Sequence, residues 1–291
     1  MLMRPAAAAR TGLVHAMTVD VEDYFQVSAF ERHVSRADWD SRPRRVEANT
    51  DRVLELFADH GIRATFFTLG WVAQRCPQLI ARIVQAGHEL ASHGMAHHRV
   101  SDQTPAAFRE DVRTARKLLE DAGGVAVRGY RAASFSIGAS QLWAHEVLAE
   151  EGYAYSSSIY PIRHDHYGIP DAPRFAYRPG AADLIEVPIT TAPMLGRNVP
   201  CGGGGYFRLL PLGFSRWAMR RVAEREKEAC VFYFHPWEID PGQPRIPGVS
   251  LRTRVRHYTN LGSMADRLRR ILTEFRWDRM DRIFLAGGEA P

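Results

Sequence analysis

The sequence predicts an α/β fold, with helices packed around a mostly parallel sheet. Three observations carry this. Short apolar runs alternate with stretches of helical period over much of the 291 residues. Several runs break abruptly into polar residues, as strands of parallel α/β folds do at their carboxyl ends. The composition, 45% apolar and 24% charged, supplies a sizeable core and excludes disordered, collagenous and coiled-coil classes.

Residues 1–12 read as a loose tail, and residues 13–291 as one domain. Leu13–Val21 is a buried strand that ends in acids. Asn49–Gly61 is a helix, capped by Asn49 or Thr50 and stopped by Gly61. Ala64–Leu69 is a strand, Gln78–Gly87 a helix, and Glu89–Ser92 a strand running into histidines. Thr104–Gly123 is a long amphipathic helix, Val127–Tyr130 a strand ending at Arg131, and Gln141–Gly152 a helix. The region 155–208, rich in Gly, Pro and Tyr, reads as inserted loops and hairpins around the short strand Leu184–Val187. Val231–Phe234 is a strand, Met264–Phe275 a helix, and Arg282–Leu285 a last strand.

The formal charge is 38 − 33 = +5, and 36 of the 38 cations are arginines. Arginine suits anionic partners, but no basic stripe, zinc finger or aromatic RNA motif points to nucleic acid. Cys76, Cys201 and Cys230 lack metal-site and disulfide-framework spacing, so they read as reduced thiols. With no secretory leader or long apolar run visible, the expectation is a cytoplasmic protein, peripheral attachment to the inner membrane staying open. The sequence fixes no oligomeric state.

Four segments place chemistry at strand ends: Asp20-Val-Glu22-Asp23, His93-Gly-Met-Ala-His97, Arg131, and His235-Pro-Trp-Glu238. On a helical turn, residues i and i+4 share a face, so His93 and His97 could bind one metal ion; capping or surface roles are the plainer alternative. No glutamate lies between them, which excludes an HExxH protease. Asp20, Glu22 and Asp23 repel one another unless cations offset them; an exposed acidic turn is the alternative. Arg131 is either a structural ion pair or the orienting partner of a carboxylate base. His235 is either a satisfied core residue or a general acid. Trp237 is a core aromatic or a wall for a sugar ring.

Together these segments resemble the polysaccharide deacetylases of carbohydrate esterase family four, the NodB-homology domain. TVDVED, SHGMAHH, GYRAASFS and FYFHPWEIDPGQPR carry the resemblance, in order, from about Met17 to Trp277. GGGYFRLLP, HPWEIDPGQPR and HYTNLGSM resemble the subgroup found with exosortase/PEP-CTERM exopolysaccharide loci. Gly94 stands where the family has Ser or Thr, Ala133 where proline is usual, and Ser156 where the subgroup has aspartate.

The resemblance implies a deformed (β/α) barrel of about seven parallel strands. It implies a metal-dependent N-deacetylase acting on N-acetylated oligo- or polysaccharide, an exopolysaccharide or its precursor. It implies a divalent cation, zinc, held by His93, His97 and a carboxylate. Asp23 is expected in that role if the strand ends after Val21; Glu22 is the alternative, since i and i+2 share a strand face with Asp20. Asp20 would be the base, Arg131 its orienting partner and His235 the acid. A backbone N–H near Ser134 or Phe135 would meet the oxyanion, and Trp237 and Tyr206 would contact substrate. The alternatives are hydrolysis of a small non-sugar amide and a carbohydrate-binding protein without catalysis.

Overall fold

The computed structural model describes residues 12–164, 167–180 and 182–285. The expected tail thus lies, but for Gly12, outside the described residues. Strand β1 (Val14–Val21) is buried from His15 onward. Its Val, Met and Ala residues suit a strand covered on both faces. The pleat sends Ala16, Thr18 and Asp20 to one side and Met17, Val19 and Val21 to the other. Ala16 packs in the barrel interior with Phe67, Tyr155 and Tyr233. Met17, Val19 and Val21 pack in the outer layer under the helices. Asp20 thereby faces inward at the end of a central strand.

Around β1 the sheet is parallel. β1 pairs with β2 (Thr65–Thr68), β9 (Val231–Phe234) and β10 (Arg276–Asp278). From β2 it continues through β3 (Glu89–Ser92), β4 (Gly129–Tyr130), β5 (Tyr155–Ser156) and β6 (Ile185–Glu186). Beyond β6 lies an antiparallel hairpin, β7 (Thr191–Met194) with β8 (Arg197–Pro200). The gap towards β9 is bridged by glycines rather than by a full strand. Tyr233 N–H donates to Gly202 O at 2.8 Å, and Gly203 forms a parallel bridge with Tyr233. Gly203 has φ +108°, and a Cβ there would sit 1.9 Å from Tyr233 O. Only glycine fits such an approach. The result is a deformed (β/α) barrel.

Helices α1 (Val46–His60), α2 (Gly70–Arg75), α3 (Pro77–Gln85), α4 (Pro105–Gly123) and α5 (Ala144–Glu150) cover the first half. Helices α6 (Gly204–Leu209), α7 (Leu212–Arg221), α8 (Leu251–Tyr258), α9 (Leu261–Glu274) and α10 (Met280–Phe284) follow in the second.

Two expectations are corrected. Helix α1 starts at Val46, before Asn49 and Thr50. Its first N–H is held by a residue distant in sequence, the Asp23 carboxylate, at 3.0 Å. Asn49 instead donates to Asp240, and Thr50 Oγ1 to Val46 O. Residues 282–285, expected as a strand, lie in or just after α10. The last strand is β10, and Met280 N–H and Asp281 N–H turn away onto Thr65 Oγ1 and Glu89 Oε2.

Candidate functional site

The site forms where β1, β3, β4 and β9 end. At the end of β1 the chain turns back, Glu22 N–H reaching Asp20 O at 3.1 Å. This tight turn keeps the Glu22 side chain near Asp20 and sends Asp23 outward. The Asp23 carboxylate accepts N–H groups from Tyr24, Arg45 and Val46 at 2.9, 2.7 and 3.0 Å. Burial pushes it up to about 6 although those N–H groups favour its charge. The expectation of Asp23 beside the histidines is therefore corrected. Its oxygens serve the start of α1, and the alternative, Glu22, is grouped with His93 and His97, one ligand atom from each lying within 4.8 Å of the others.

The histidines are not on a helix, as their spacing had suggested. They lie in the loop after β3. Gly94, at φ +76°, and His97, at φ +53°, both take the left-handed conformation. A Cβ on Gly94 would meet Asp111 Oδ2 at 2.8 Å, which explains glycine at this position. A left-handed non-glycine such as His97 is held by its surroundings. Arg36 supplies that hold, donating to Ala96 O and His97 O at 2.9 Å each. His93 Nδ1 is fixed by Arg131 O at 2.9 Å, so Nε2 turns to the site. Burial lowers the His93 pKa to about 4, leaving a neutral imidazole.

Glu22 lies between two sets of partners. Oε2 is 3.0 Å from His97 Nε2 yet makes no hydrogen bond among the described residues. Oε1 accepts the Trp237 indole N–H at 3.2 Å and lies 3.5 Å from His235 Nε2. Burial opposes its charge, but the facing imidazoles of His97, His235 and His93 outweigh burial and hold the carboxyl down at about 2. An orphaned carboxylate oxygen facing the His97 ring nitrogen, beside the imidazole of His93, is a donor set that fits a divalent cation.

Asp20 is anchored by Arg131, which is fully buried at the end of β4. Arg131 Nη1 donates to Asp20 Oδ1 at 2.6 Å and to Thr18 Oγ1 at 2.8 Å. Its remaining donors reach Ser157 O at 3.1 Å and Ser157 Oγ at 3.0 Å. The guanidinium carbon also stacks 4.0 Å from the Phe67 ring. Ser134 and Phe135 follow in left-handed conformations, φ +54° and +52°. Phe135 N–H is taken by Ala132 O at 3.0 Å. Phe135 packs edge-on against Tyr233, with ring centres 4.9 Å apart.

His235 ends β9. Its Nδ1 pairs with Glu238 Oε1 at 2.8 Å, and its Nε2 faces Asp20 Oδ2 at 4.0 Å. Burial disfavours the imidazolium, but Glu22, Glu238 and Asp20 together raise its pKa to about 9. Behind it, Arg208 Nε donates to Glu238 Oε2 at 2.5 Å. Arg208 is itself fixed by the carbonyls of Arg256, His257 and Thr259. Trp237 is not an open wall. It is buried, stacked between His235 and His257, and holds Glu22 by its N–H. Tyr206 is half-buried on α6 and packs against the interior aromatic cluster.

Thr18, Ser157, Glu238 and Arg208 complete the site and were not foreseen as functional. Glu238, three residues after His235, was the one with a visible signal, since N3 of a capping turn reaches its own cap residue.

Residues 34–155 match the family model described as polysaccharide deacetylase, and residues 157–285 match a domain of unknown function, DUF3473. The two meet at β5, yet strands from both join one sheet. A chitooligosaccharide deacetylase of Bradyrhizobium sp. (strain ANU 289) is 31% identical over 137 residues, 47% of this chain and 57% of the relative. Another, from Sinorhizobium fredii (strain NBRC 101917 / NGR234), is 33% identical over 138 residues, 47% of this chain and 58% of the relative. The chain thus spans less than three fifths of these curated relatives. A crystal structure of a candidate polysaccharide deacetylase from Mycobacterium smegmatis superposes with a TM-score of 0.63, over 97% of this chain and 91% of that one. At 18% identity that likeness shows the fold. The matches support a polysaccharide deacetylase domain in this chain.

Proposed function

We propose that this protein is a hydrolase that removes acetyl groups from N-acetylated sugar units, with a divalent cation as cofactor. One observation carries the proposal: Asp20, the Glu22–His93–His97 group and His235 converge at one mouth of the barrel. The chitooligosaccharide deacetylases matched above point to an N-acetylated oligo- or polysaccharide as substrate.

Glu22, His93 and His97 would hold the cation, and two imidazoles with one carboxylate suit zinc. When bound, it supplies Lewis acidity to the acetyl carbonyl and to water. Asp20 then takes a proton from the attacking water, held in place by Arg131. The N–H of Ser134, in its left-handed turn, is the candidate donor to the tetrahedral oxyanion, because Phe135 N–H is already engaged. His235 gives a proton to the departing amine nitrogen, with Glu238 holding its Nδ1. Acetate and a free amine on the sugar are the products. Tyr206, half-buried on α6, offers apolar surface for the sugar, while Phe135 and Tyr233 are buried.

Replacing Asp20 with asparagine tests the base assignment. The variant is expected to bind metal and lose nearly all acetate release; a wild-type rate would refute it. An exopolysaccharide or its precursor as substrate, and peripheral membrane association, belong to the same proposal. A groove of about 490 Å³ lined by Arg216, Arg220, Arg269, Arg270, Thr273 and Glu274, in which Glu274 pairs with Arg216 and Arg220 and leaves a net positive lining, supports the membrane contact. Co-sedimentation with anionic but not neutral vesicles tests it. No helix among the described residues is long and apolar enough to cross a membrane.

A further inference from the structure

A buried carboxylate outside this chemistry grips the segment that holds Arg131. Glu186, at the end of β6, is fully buried. Its Oε1 accepts the consecutive N–H groups of Ser158 and Ile159, each at 2.8 Å. Its Oε2 faces His145 Nε2 on α5 at 3.1 Å. Two successive backbone N–H groups on one carboxylate oxygen form charge-assisted hydrogen bonds, which fix the local backbone more firmly than neutral ones.

The gripped segment is the wall behind Arg131, the arginine that orients the base. Ser157 receives two donors of Arg131, one on its carbonyl and one on its hydroxyl. Ser158 Oγ accepts the N–H of Ala132, at the entry to the left-handed turn at Ser134 and Phe135, at 2.9 Å. Ser156 donates its hydroxyl to Ser158 Oγ at 2.8 Å and is the register partner of Glu186 across β5 and β6. Ser156 carries no charge, so the buried negative charge at this level of the sheet sits on the neighbouring strand. From Glu186 through Ser157 and Arg131 to Asp20, each step is a hydrogen bond or a chain neighbour.

We propose that Glu186, held by His145, is a positioning residue for the deacetylation reaction. It fixes residues 156–159 and, through Ser157, the guanidinium that orients the base Asp20. This rests on the function proposed above, and the test separates the two.

The variants are Glu186→Gln, which keeps an acceptor and removes the charge, Glu186→Asp, Ser157→Ala and the double variant Glu186→Gln/Ser157→Ala. Glu186→Gln is expected to lower kcat per bound metal by about tenfold or more, with KM changing less than about twofold. Glu186→Asp should recover part of the loss. Because Glu186 and Ser157 act through one arginine, the double variant should be no slower than the slower single one. A crystal structure of Glu186→Gln gives a readout independent of any substrate, and should show the Arg131–Asp20 contact broken. Three results would overturn the proposal: wild-type kcat in Glu186→Gln, multiplicative effects in the double variant, or Arg131 unmoved in the crystal. If Glu186→Gln does not fold, the same cycle with His145→Gln in its place decides. An inactive wild type whose Arg131 still shifts in Glu186→Gln would sink the deacetylase reading and leave the positioning role standing.

Discussion

Arg131 Nη1 and Asp20 Oδ1 lie 2.6 Å apart, and both side chains are buried. The pair joins the ends of β1 and β4, so the proposed base is set by a strand three places away in the sheet. A lysine has one ammonium and cannot reach Asp20, Thr18 and Ser157 together. Arg131→Lys is therefore expected to lose at least about 100-fold in kcat while still binding metal. Arg131→Ala leaves Asp20 as an unpaired buried charge and should cost about 3–5 kcal/mol, read by urea unfolding.

Glu22 and Asp23 have separable roles. Glu22→Gln, His93→Ala and His97→Ala should each lower bound metal per chain, measured by elemental analysis. Asp23→Asn should keep the metal and lose about 1 kcal/mol of stability, because it weakens the acceptor at the start of α1. A metal-free Asp23→Asn with intact α1 would restore Asp23 as the ligand.

His235 depends on a chain of buried partners, Glu238 and then Arg208. His235→Asn should retain metal and slow acetate release by about 10²–10⁴-fold. Arg208→Met should act through the fold. It strands the buried Glu238 carboxylate and releases three backbone carbonyls, at a cost of about 3–5 kcal/mol.

Two buried imidazoles far from the metal group set the acid limit of stability. His15 Nδ1 accepts the N–H of Cys230, and His88 Nδ1 that of Ala64, both at 3.1 Å. Burial lowers their pKa values from 6.5 to about 4 and about 3. Both are neutral above pH 6.5 in either state, so their contribution is fully present there. As the pH falls below that value the unfolded chain takes up protons that the fold refuses. Stability should drop by up to about 1.4 kcal/mol per pH unit for each histidine, until its folded pKa is reached. His88→Asn, which can still accept the Ala64 N–H, should flatten the acid side of the melting-temperature profile. An unchanged slope would contradict the assignment.

Strands β1, β2, β3, β4, β6 and β9 were legible because each is a short apolar run bounded by polar residues, and the candidate base, ligands and acid sit on such ends; β5 and β10, two and three residues long, were too short to show a pattern. What the sequence hid was decided by backbone turns and long-range contacts. The choice between Glu22 and Asp23 depends on the turn after Val21 and on where α1 begins. The pairing of His93 with His97 depends on two left-handed residues, although their spacing imitates a helix. Arg208, Ser157 and Glu186 belong to no local pattern, since their partners lie 26 to 51 residues away. Helices α6 to α8 lie in stretches broken by Gly and Pro, where no period of 3.6 could establish itself.

Acetate release from an N-acetylglucosamine oligomer, before and after chelation and with zinc restored, tests the central claim most directly. Release that stops with chelator and returns with zinc, and that is absent in Asp20→Asn, is the predicted result. Release unaffected by chelator, or none from a protein carrying one metal ion per chain, would contradict it.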